Sequence, residues 1–159
     1  MSAEIIDGRA VAAELREELG REIAQCRERG VVPGIATLLV GDDFGAAMYR
    51  DAVDRLCSGL GLHFRAENLP ATAGMAEALA ALDSLNRDPA VSGVLVLRPL
   101  AEQVDEGRVV ERLAPIKDID CLNPSNLGRL VVGGPAWPPA TPAAAWNCWS
   151  AGCAPRAGR

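Results

Sequence analysis

Apolar residues recur along the chain with two different spacings, and segments of the two kinds alternate up to Ala114. Recurrence at steps of three and four predicts amphipathic helices, whereas short unbroken apolar runs predict strands that are buried on both faces. Glycine and proline separate the segments, as they do at helix ends and turns. The predicted helices span 9–29, 45–60 and 105–114, with a further helix that starts from an N-cap at Thr72 and carries Met75, Leu79 and Leu82; the predicted strands span 34–40, 62–69 and 91–97.

Strands that alternate with helices in this way predict an α/β domain. The expected architecture is a parallel sheet with helices on both faces, a three-layer α-β-α arrangement with right-handed crossovers. A chain of 159 residues is long enough for one such domain and too short for a second full one. From Pro115 the composition shifts to Asp, Asn, Pro and Gly, which is typical of loops, so no helix or strand is predicted there.

Composition limits the classes of partner and site. Sixteen basic and twenty-one acidic residues give a net charge of −5, and the absence of a basic stripe argues against nucleic-acid binding. The N-terminus does not resemble a signal peptide, and no apolar run approaches the length of about 18 residues that spans a bilayer. We therefore expect a cytoplasmic protein with no membrane partner. Five cysteines at irregular spacing and a single histidine, His63, predict neither a disulfide framework nor a metal site.

The stretch from Val40 to Val53 is the first candidate for a ligand site. It joins a predicted buried strand to a predicted helix, and in α/β proteins ligands bind where strand carboxyl ends and helix amino ends meet. Asp42 and Asp43 resemble a carboxylate pair for a metal, although ordinary turn chemistry is the favoured interpretation. Tyr49 is either a core residue on the apolar helix face or a ring exposed to a ligand.

Further candidates lie downstream. Asp118 and Asp120 are two positions apart in an extended segment, so we expect their side chains to point to opposite sides and serve different tasks. Asp120 is either a ligand group or a turn-forming residue. Lys117, the sole lysine, is predicted to be a structural or solvated charge, and His63 a packed or edge residue without a catalytic role.

Short motifs in a fixed order carry a resemblance that covers about Glu4 to Pro142. Each motif is weak alone, but together they are specific. The chain resembles the bifunctional methylenetetrahydrofolate dehydrogenase/methenyltetrahydrofolate cyclohydrolase family. The motifs are Ile6-Asp7-Gly8-Arg9, Pro33-Gly34-Ile35, Leu39-Val40-Gly41-Asp42-Asp43, Tyr49, Leu85-Asn86, Pro99-Leu100, Pro115-Ile116-Lys117-Asp118-Ile119-Asp120, Asn126-Leu127-Gly128-Arg129-Leu130 and Thr141-Pro142.

The resemblance implies that a reduced folate binds in a cleft between an N-terminal catalytic domain and a C-terminal Rossmann domain that holds NADP. It implies that Tyr49 stacks on the aminobenzoyl ring, that Asp120 holds the pterin, and that Pro99 and Leu100 contact the substrate. We predict no NADP site within this chain, since no Gly-x-Gly-x-x-Gly element follows a strand. The resemblance also implies a homodimer, but the Rossmann domain would supply much of its contact.

The sequence departs from the family where protons are handled. The family has a lysine four residues after the tyrosine and a glutamine at the end of the third strand, and these positions hold Val53 and Leu97. Ala46 replaces a serine, and Cys121 replaces a glycine. A general acid or base contributes about 10²–10⁴-fold to a rate, so we predict a catalytic domain with weak or no dehydrogenase and cyclohydrolase activity.

Two alternatives to an impaired domain remain open. One is an active enzyme in which Arg98, Lys117 or a partner domain restores the missing proton transfer, although an arginine does not deprotonate. The other is a non-catalytic folate-binding or partner protein on the same scaffold.

The predicted catalytic domain spans residues 1–142, and residues 143–159 differ in character. Trp146 to Ala154 is rich in tryptophan and cysteine and has no amphipathic pattern. Back-translation and reading one nucleotide earlier recovers a helix-forming Glu-Leu-Leu-Glu run similar to what the family places there. We hypothesise that a one-nucleotide frameshift near Ala145 removed the Rossmann domain and left this tail without order. Sequencing the locus tests this, because the other frame must then encode that domain.

Overall fold

The computed structural model describes residues 5–134 and 137–153, which form a small parallel sheet surrounded by helices. The short turn Pro115–Lys117 is a 3-10 helix. Among the helices of these two ranges, none has the length and apolar character needed to cross a bilayer. The elements in chain order are α1 (Gly8–Glu28), β1 (Gly34–Val40), α2 (Phe44–Leu60), β2 (His63–Leu69), α3 (Met75–Arg87), β3 (Gly93–Val96), α4 (Glu106–Arg112), α5 (Pro124–Val131) and α6 (Ala140–Cys153).

The three strands are parallel in the order β2-β1-β3. Because β1 is central, its successive side chains are buried on opposite faces of the sheet. Leu38 packs with Leu82 of α3 on one face, and Leu39 packs with Ala46 of α2 on the other. The α/β prediction with helices on both faces is therefore confirmed.

Two glycines fix how closely the strands approach their neighbours. A Cβ atom at Gly34 would overlap the backbone carbonyl oxygen of Ala90. A Cβ atom at Gly93 would overlap the side chain of Ile119. The first of these contacts gives a physical reason for glycine in the Pro33-Gly34-Ile35 motif, since a larger residue would push the chain before β3 away from the start of β1.

The limits of α3 and β3 differ from those predicted, and α4 ends at Arg112 rather than at residue 114. Helix α3 begins after Gly74 and not after Thr72, because the Glu77 carboxylate accepts a hydrogen bond from the Gly74 N–H (2.8 Å) and so fixes the helix start. The third strand is shorter than the apolar run 91–97 and spans only 93–96. Val91 and Leu97 are nevertheless buried, so the run reflects burial beyond the limits of the sheet ladder.

The region predicted as loop contains helix α5. Asn123 caps it by accepting a hydrogen bond from the Ser125 N–H (2.8 Å), and Pro124 occupies its first turn. An N-cap asparagine followed by proline is a recognised helix start. The prediction missed it because the helix is short and most of its residues stay exposed.

The tail is helical as far as the structure describes it. Helix α6 starts at Ala140 and continues to Cys153, so the expectation of a tail without order is wrong for residues 143–153; residues 154–159 lie outside the described ranges. Alanines provide high helix propensity here, and the Trp146 and Trp149 rings contact each other at 5.1 Å between centroids. Both features are local to the helix, which lacks an amphipathic pattern.

Candidate active site

The carboxyl ends of β1 and β3 form the edge at which the candidate residues gather. The segment after β3 runs beside the end of β1, since the Leu97 N–H donates to the Leu38 carbonyl (2.9 Å) and the Ala101 N–H to the Val40 carbonyl (3.0 Å). The Arg98–Pro99 peptide bond between them is cis. In a sheet of this order the chain leaves β1 and β3 in different directions, which opens a crevice at their carboxyl ends.

A depression of about 510 Å³ occupies this crevice. Its walls come from the β1–α2 loop and from the segment after β3, so that Gly41 and Asp42 face Pro99 and Leu100. Asp43 borders it and caps α2, since its carboxylate accepts a hydrogen bond from the Ala46 N–H (2.8 Å). Turn chemistry at Asp43 is thereby confirmed. Among the residues that the structure describes, no group of three or more His, Cys, Asp or Glu side chains could hold a metal ion.

Tyr49 lies in the second turn of α2 and is 53% exposed. The core interpretation of Tyr49 is therefore wrong, because a core ring would be largely removed from solvent. Tyr49 belongs to neither depression at this edge. Its ring is available to a ligand that lies across the start of α2.

Three of the positions singled out in the sequence hold buried apolar residues. Val53 is 8% exposed, Leu97 4% and Ala46 5%. Leu97 and Ala46 pack with Leu39 into one cluster, which we call the apolar cluster of Leu39, Ala46 and Leu97. None of these side chains has an atom that can transfer a proton.

A second depression, of about 400 Å³, lies between α4, Asp120 and the start of α6. Arg98 and Asp120 both line it. Arg98 Nη1 lies 3.1 Å from Glu106 Oε1 in an ion pair, and Asp120 Oδ1 accepts a hydrogen bond from the Ala140 N–H (3.2 Å). Arg98 lines this depression and the next residue, Pro99, lines the first. Glu106 was not among the sequence candidates, and its place in the first turn of a predicted helix did not set it apart.

Asp118 is fully buried and has a structural task. Its carboxylate accepts hydrogen bonds from the Leu122 N–H (3.0 Å), the Asn123 N–H (2.9 Å) and the Asn126 side-chain amide (2.8 Å). It therefore ties the loop to the start of α5, whereas Asp120 faces the second depression. The two aspartates lie in different surroundings, as expected, and the task of Asp120 stays a prediction.

Lys117 and His63 are also structural or peripheral. Lys117 Nζ donates to the carbonyl oxygens of Leu85 (3.0 Å) and Asp88 (2.7 Å) at the end of α3, where a cation complements the helix carboxyl end. His63 is the first residue of the edge strand β2 and is exposed. The structural role of Lys117 and the edge position of His63 are confirmed.

Cys121 adopts a left-handed backbone conformation with φ 55° and is buried. Burial raises the pKa of its thiol, and the nearby Asp118 and Asp120 charges raise it further, so the group is a thiol and not a nucleophilic thiolate at neutral pH. The left-handed conformation favours glycine, the residue that the family resemblance implies at this position. Cysteine here fills space at the cost of backbone strain.

Comparison with known proteins identifies the scaffold. Residues 6–120 match the family model described as the catalytic domain of tetrahydrofolate dehydrogenase/cyclohydrolase. The chain belongs to this family. The bifunctional protein FolD 2 of Geobacter metallireducens is 44% identical over 138 residues, which cover 87% of this chain and 48% of that protein. The bifunctional protein FolD 3 of Rubrobacter xylanophilus is 45% identical over 144 residues, which cover 91% and 45%.

Solved structures of the tetrahydrofolate dehydrogenase/cyclohydrolase family superpose on the same region. The FolD methylenetetrahydrofolate dehydrogenase/cyclohydrolase of Campylobacter jejuni gives a TM-score of 0.91 at 28% identity and covers 94% of this chain and 54% of that one. The enzyme of Trypanosoma brucei, solved with NADP cofactor and an inhibitor, gives 0.89 at 29% identity and covers 95% and 52%. The chain spans about half the length of the relatives that it matches.

Proposed function

We propose that this chain binds a reduced folate at the carboxyl edge of its sheet and that its dehydrogenase and cyclohydrolase chemistry is impaired. The observation that carries the proposal is the burial of apolar Val53 and Leu97 at the positions where the family has lysine and glutamine. The side chains at the same edge that would contact the folate are present, so we expect binding without efficient proton transfer.

Three kinds of side chain support folate binding. The exposed Tyr49 ring offers an aromatic face on which an aminobenzoyl ring can stack. Pro99 and Leu100 provide an apolar wall in the first depression. Asp120 keeps one carboxylate oxygen without a partner among the described residues, and a carboxylate accepts hydrogen bonds from the amino edge of a pterin.

The side chain that would transfer a proton beside the folate is missing under this proposal. A residue four positions after Tyr49 lies on the same helix face, so a lysine there would stand beside the stacked ring, but Val53 has no such group. The loss of a general acid or base costs about 10²–10⁴-fold in rate. Arg98 does not deprotonate, and Lys117 is held at the end of α3 by two carbonyl oxygens. Neither supports the alternative of restored activity.

The dehydrogenase reaction also needs a dinucleotide, and the glycines present do not fit one. Gly133 and Gly134 follow helix α5, and Gly133, with φ 72°, ends that helix. A dinucleotide site needs glycines between a strand and the amino end of a helix. We therefore derive no hydride step from the described residues.

Titration with 5,10-methenyltetrahydrofolate, with hydrolysis followed in the same samples, tests the proposal. We expect saturable binding, weakened about tenfold or more in Tyr49→Ala because stacking on an aromatic face is lost. Met48→Ala is the matched control, since Met48 is exposed on the neighbouring helix position. Turnover should stay at least about a hundredfold below that of a full-length relative measured in parallel.

Two results would contradict this proposal in different ways. Turnover at the level of the relative, abolished in Tyr49→Ala, would identify an active enzyme. The absence of saturable binding would favour a partner protein on the same scaffold.

Restoring both groups in Val53→Lys/Leu97→Gln should raise hydrolysis about a hundredfold if the double variant folds.

A further inference from the structure

Arg98 and Asp120 bring opposite charges to one depression without pairing with each other. Both line the cavity of about 400 Å³, but Arg98 pairs with Glu106 and Asp120 Oδ1 is held by the Ala140 N–H. Among the described residues, neither Arg98 Nε and Nη2 nor Asp120 Oδ2 has a hydrogen-bond partner. The depression is therefore lined by unused donors of Arg98 and an unused acceptor of Asp120.

This pair of groups is complementary to one edge of a 2-amino-4-oxo heterocycle. Such a ring presents two N–H donors followed by a carbonyl acceptor, in that order along one edge. A carboxylate accepts from the two donors, and a guanidinium beside it donates to the carbonyl. We propose that Arg98 donates to the 4-oxo oxygen of the bound ring while Asp120 accepts from its amino edge, so that Arg98 sets the specificity for 4-oxo rings. This inference rests on the proposed folate site.

The position of Arg98 suits that role. Its backbone follows Leu97, whose N–H is bonded to β1, so the base of the side chain is fixed. The guanidinium is held toward the depression by Glu106, with the two side chains 49% and 46% exposed. Ion pairs this exposed are weak, so Glu106 orients the guanidinium without preventing its contact with a ligand. The planar fork leaves donors directed away from Glu106.

Replacement of the 4-oxo oxygen by an amino group should lower the affinity for the ring. A 4-amino group would place N–H donors against the guanidinium and remove its acceptor, and the ring nitrogen beside Asp120 would lose its proton as well. A charge-assisted hydrogen bond at a half-exposed site corresponds to about tenfold in affinity. We therefore expect Arg98 to account for about tenfold of the preference for the 4-oxo ring, with Asp120 responsible for the remainder.

The test uses the full chain and two ligands that differ only at this position, tetrahydrofolate and tetrahydroaminopterin. Dissociation constants for both are measured in the unmodified chain, in Arg98→Leu and in Arg108→Leu. Arg108 is an exposed arginine of α4 that does not line the depression, so Arg108→Leu removes the same charge and serves as the matched control. Should Arg98→Leu fail to fold, Arg98→Met removes the guanidinium while keeping an unbranched stem.

The expected result is a preference for tetrahydrofolate that falls about tenfold in Arg98→Leu, mainly through weaker tetrahydrofolate binding, and that is unchanged in Arg108→Leu. An unchanged preference in Arg98→Leu, with binding still dependent on Tyr49, would overturn the role of Arg98 and leave the proposed function standing. Failure of the unmodified chain to bind either ligand would overturn both.

Discussion

The apolar cluster of Leu39, Ala46 and Leu97 predicts that reinstating one family residue alone is destabilising. The perturbation is Leu97→Gln, which places an amide between α2 and the end of β1. Leu97 is 4% exposed and packs with Ala46 and Leu39. The members of this cluster are apolar, so none of their side chains offers the amide a hydrogen-bond partner.

The magnitude follows from two contributions. Burying a leucine side chain stabilises by about 1.5–3 kcal/mol, of which glutamine, with two methylene groups, forfeits about half. A buried amide without a partner costs a further ~1–3 kcal/mol. The free energy of unfolding should fall by about 2–4 kcal/mol, a large share of the ~5–15 kcal/mol typical of a domain.

Urea unfolding measures this effect, with the m-value checked for constancy across variants. Leu97→Met is the control, since a swap that conserves volume costs less than about 1.5 kcal/mol. Adding Ala46→Ser to Leu97→Gln gives the amide a hydroxyl partner, and we expect a coupling of about 1 kcal/mol between the two changes. If Leu97→Gln is no more destabilising than Leu97→Met, the packing argument is refuted.

Three further measurements test other parts of the structure. Asp118→Ala should lower the free energy of unfolding by about 3 kcal/mol, because three hydrogen bonds to a buried carboxylate are lost; a loss below about 1 kcal/mol would argue against its structural task. The Ala90 N–H and Arg65 lower the pKa of Asp88, so its stabilisation is present above the ordinary carboxyl pKa of about 4 and is lost as the pH falls through the lower folded value. Urea midpoints between about pH 2 and 5 should thus fall less in Asp88→Asn than in the unmodified chain, and parallel curves would contradict this. Both Cys121→Gly and Cys121→Ala remove the buried thiol, but only glycine relieves the left-handed backbone. The free energy of unfolding from urea titration should therefore be about 1 kcal/mol higher for the glycine variant than for the alanine variant, and the reverse order would refute the strain argument.

The sheet and its first three helices were predictable because burial there follows simple spacing. Strand β1 is an apolar run bounded by Pro33 and Gly41, and both the run and its limits recur in the structure. The run 91–97 predicted too long a strand because hydrophobicity reports burial, not hydrogen-bonded pairing. Val91 and Leu97 lie outside the hydrogen-bonded strand and are buried by packing. Sequence spacing does not distinguish this burial from burial within a strand.

The second half of the chain was less predictable because its order depends on contacts between distant residues. The loop around Asp118 is held by one carboxylate that accepts three hydrogen bonds, and composition alone indicates only a turn-rich segment. Helix α5 had a local signal in Asn123 and Pro124, which the loop interpretation passed over. The left-handed conformation of Cys121 carried no signal in the residue itself, and only the glycine of the family at that position pointed to it.

Two adjacent residues on the segment after β3 lie in different environments. Under the proposed function, this explains how folate binding is kept while proton transfer is lost. Leu97 points into the apolar cluster against α2, whereas Arg98 reaches the depression that contains Asp120. Under the proposed function, leucine in place of glutamine at position 97 removes a proton-handling group and adds apolar packing, without altering the charge at position 98. The depression that Arg98 and Asp120 line contains no member of that cluster, so the proposed recognition of a ligand edge does not depend on the packing of Leu97. Because of this separation, Leu97 variants should change hydrolysis and stability, whereas Arg98 variants should change ligand preference.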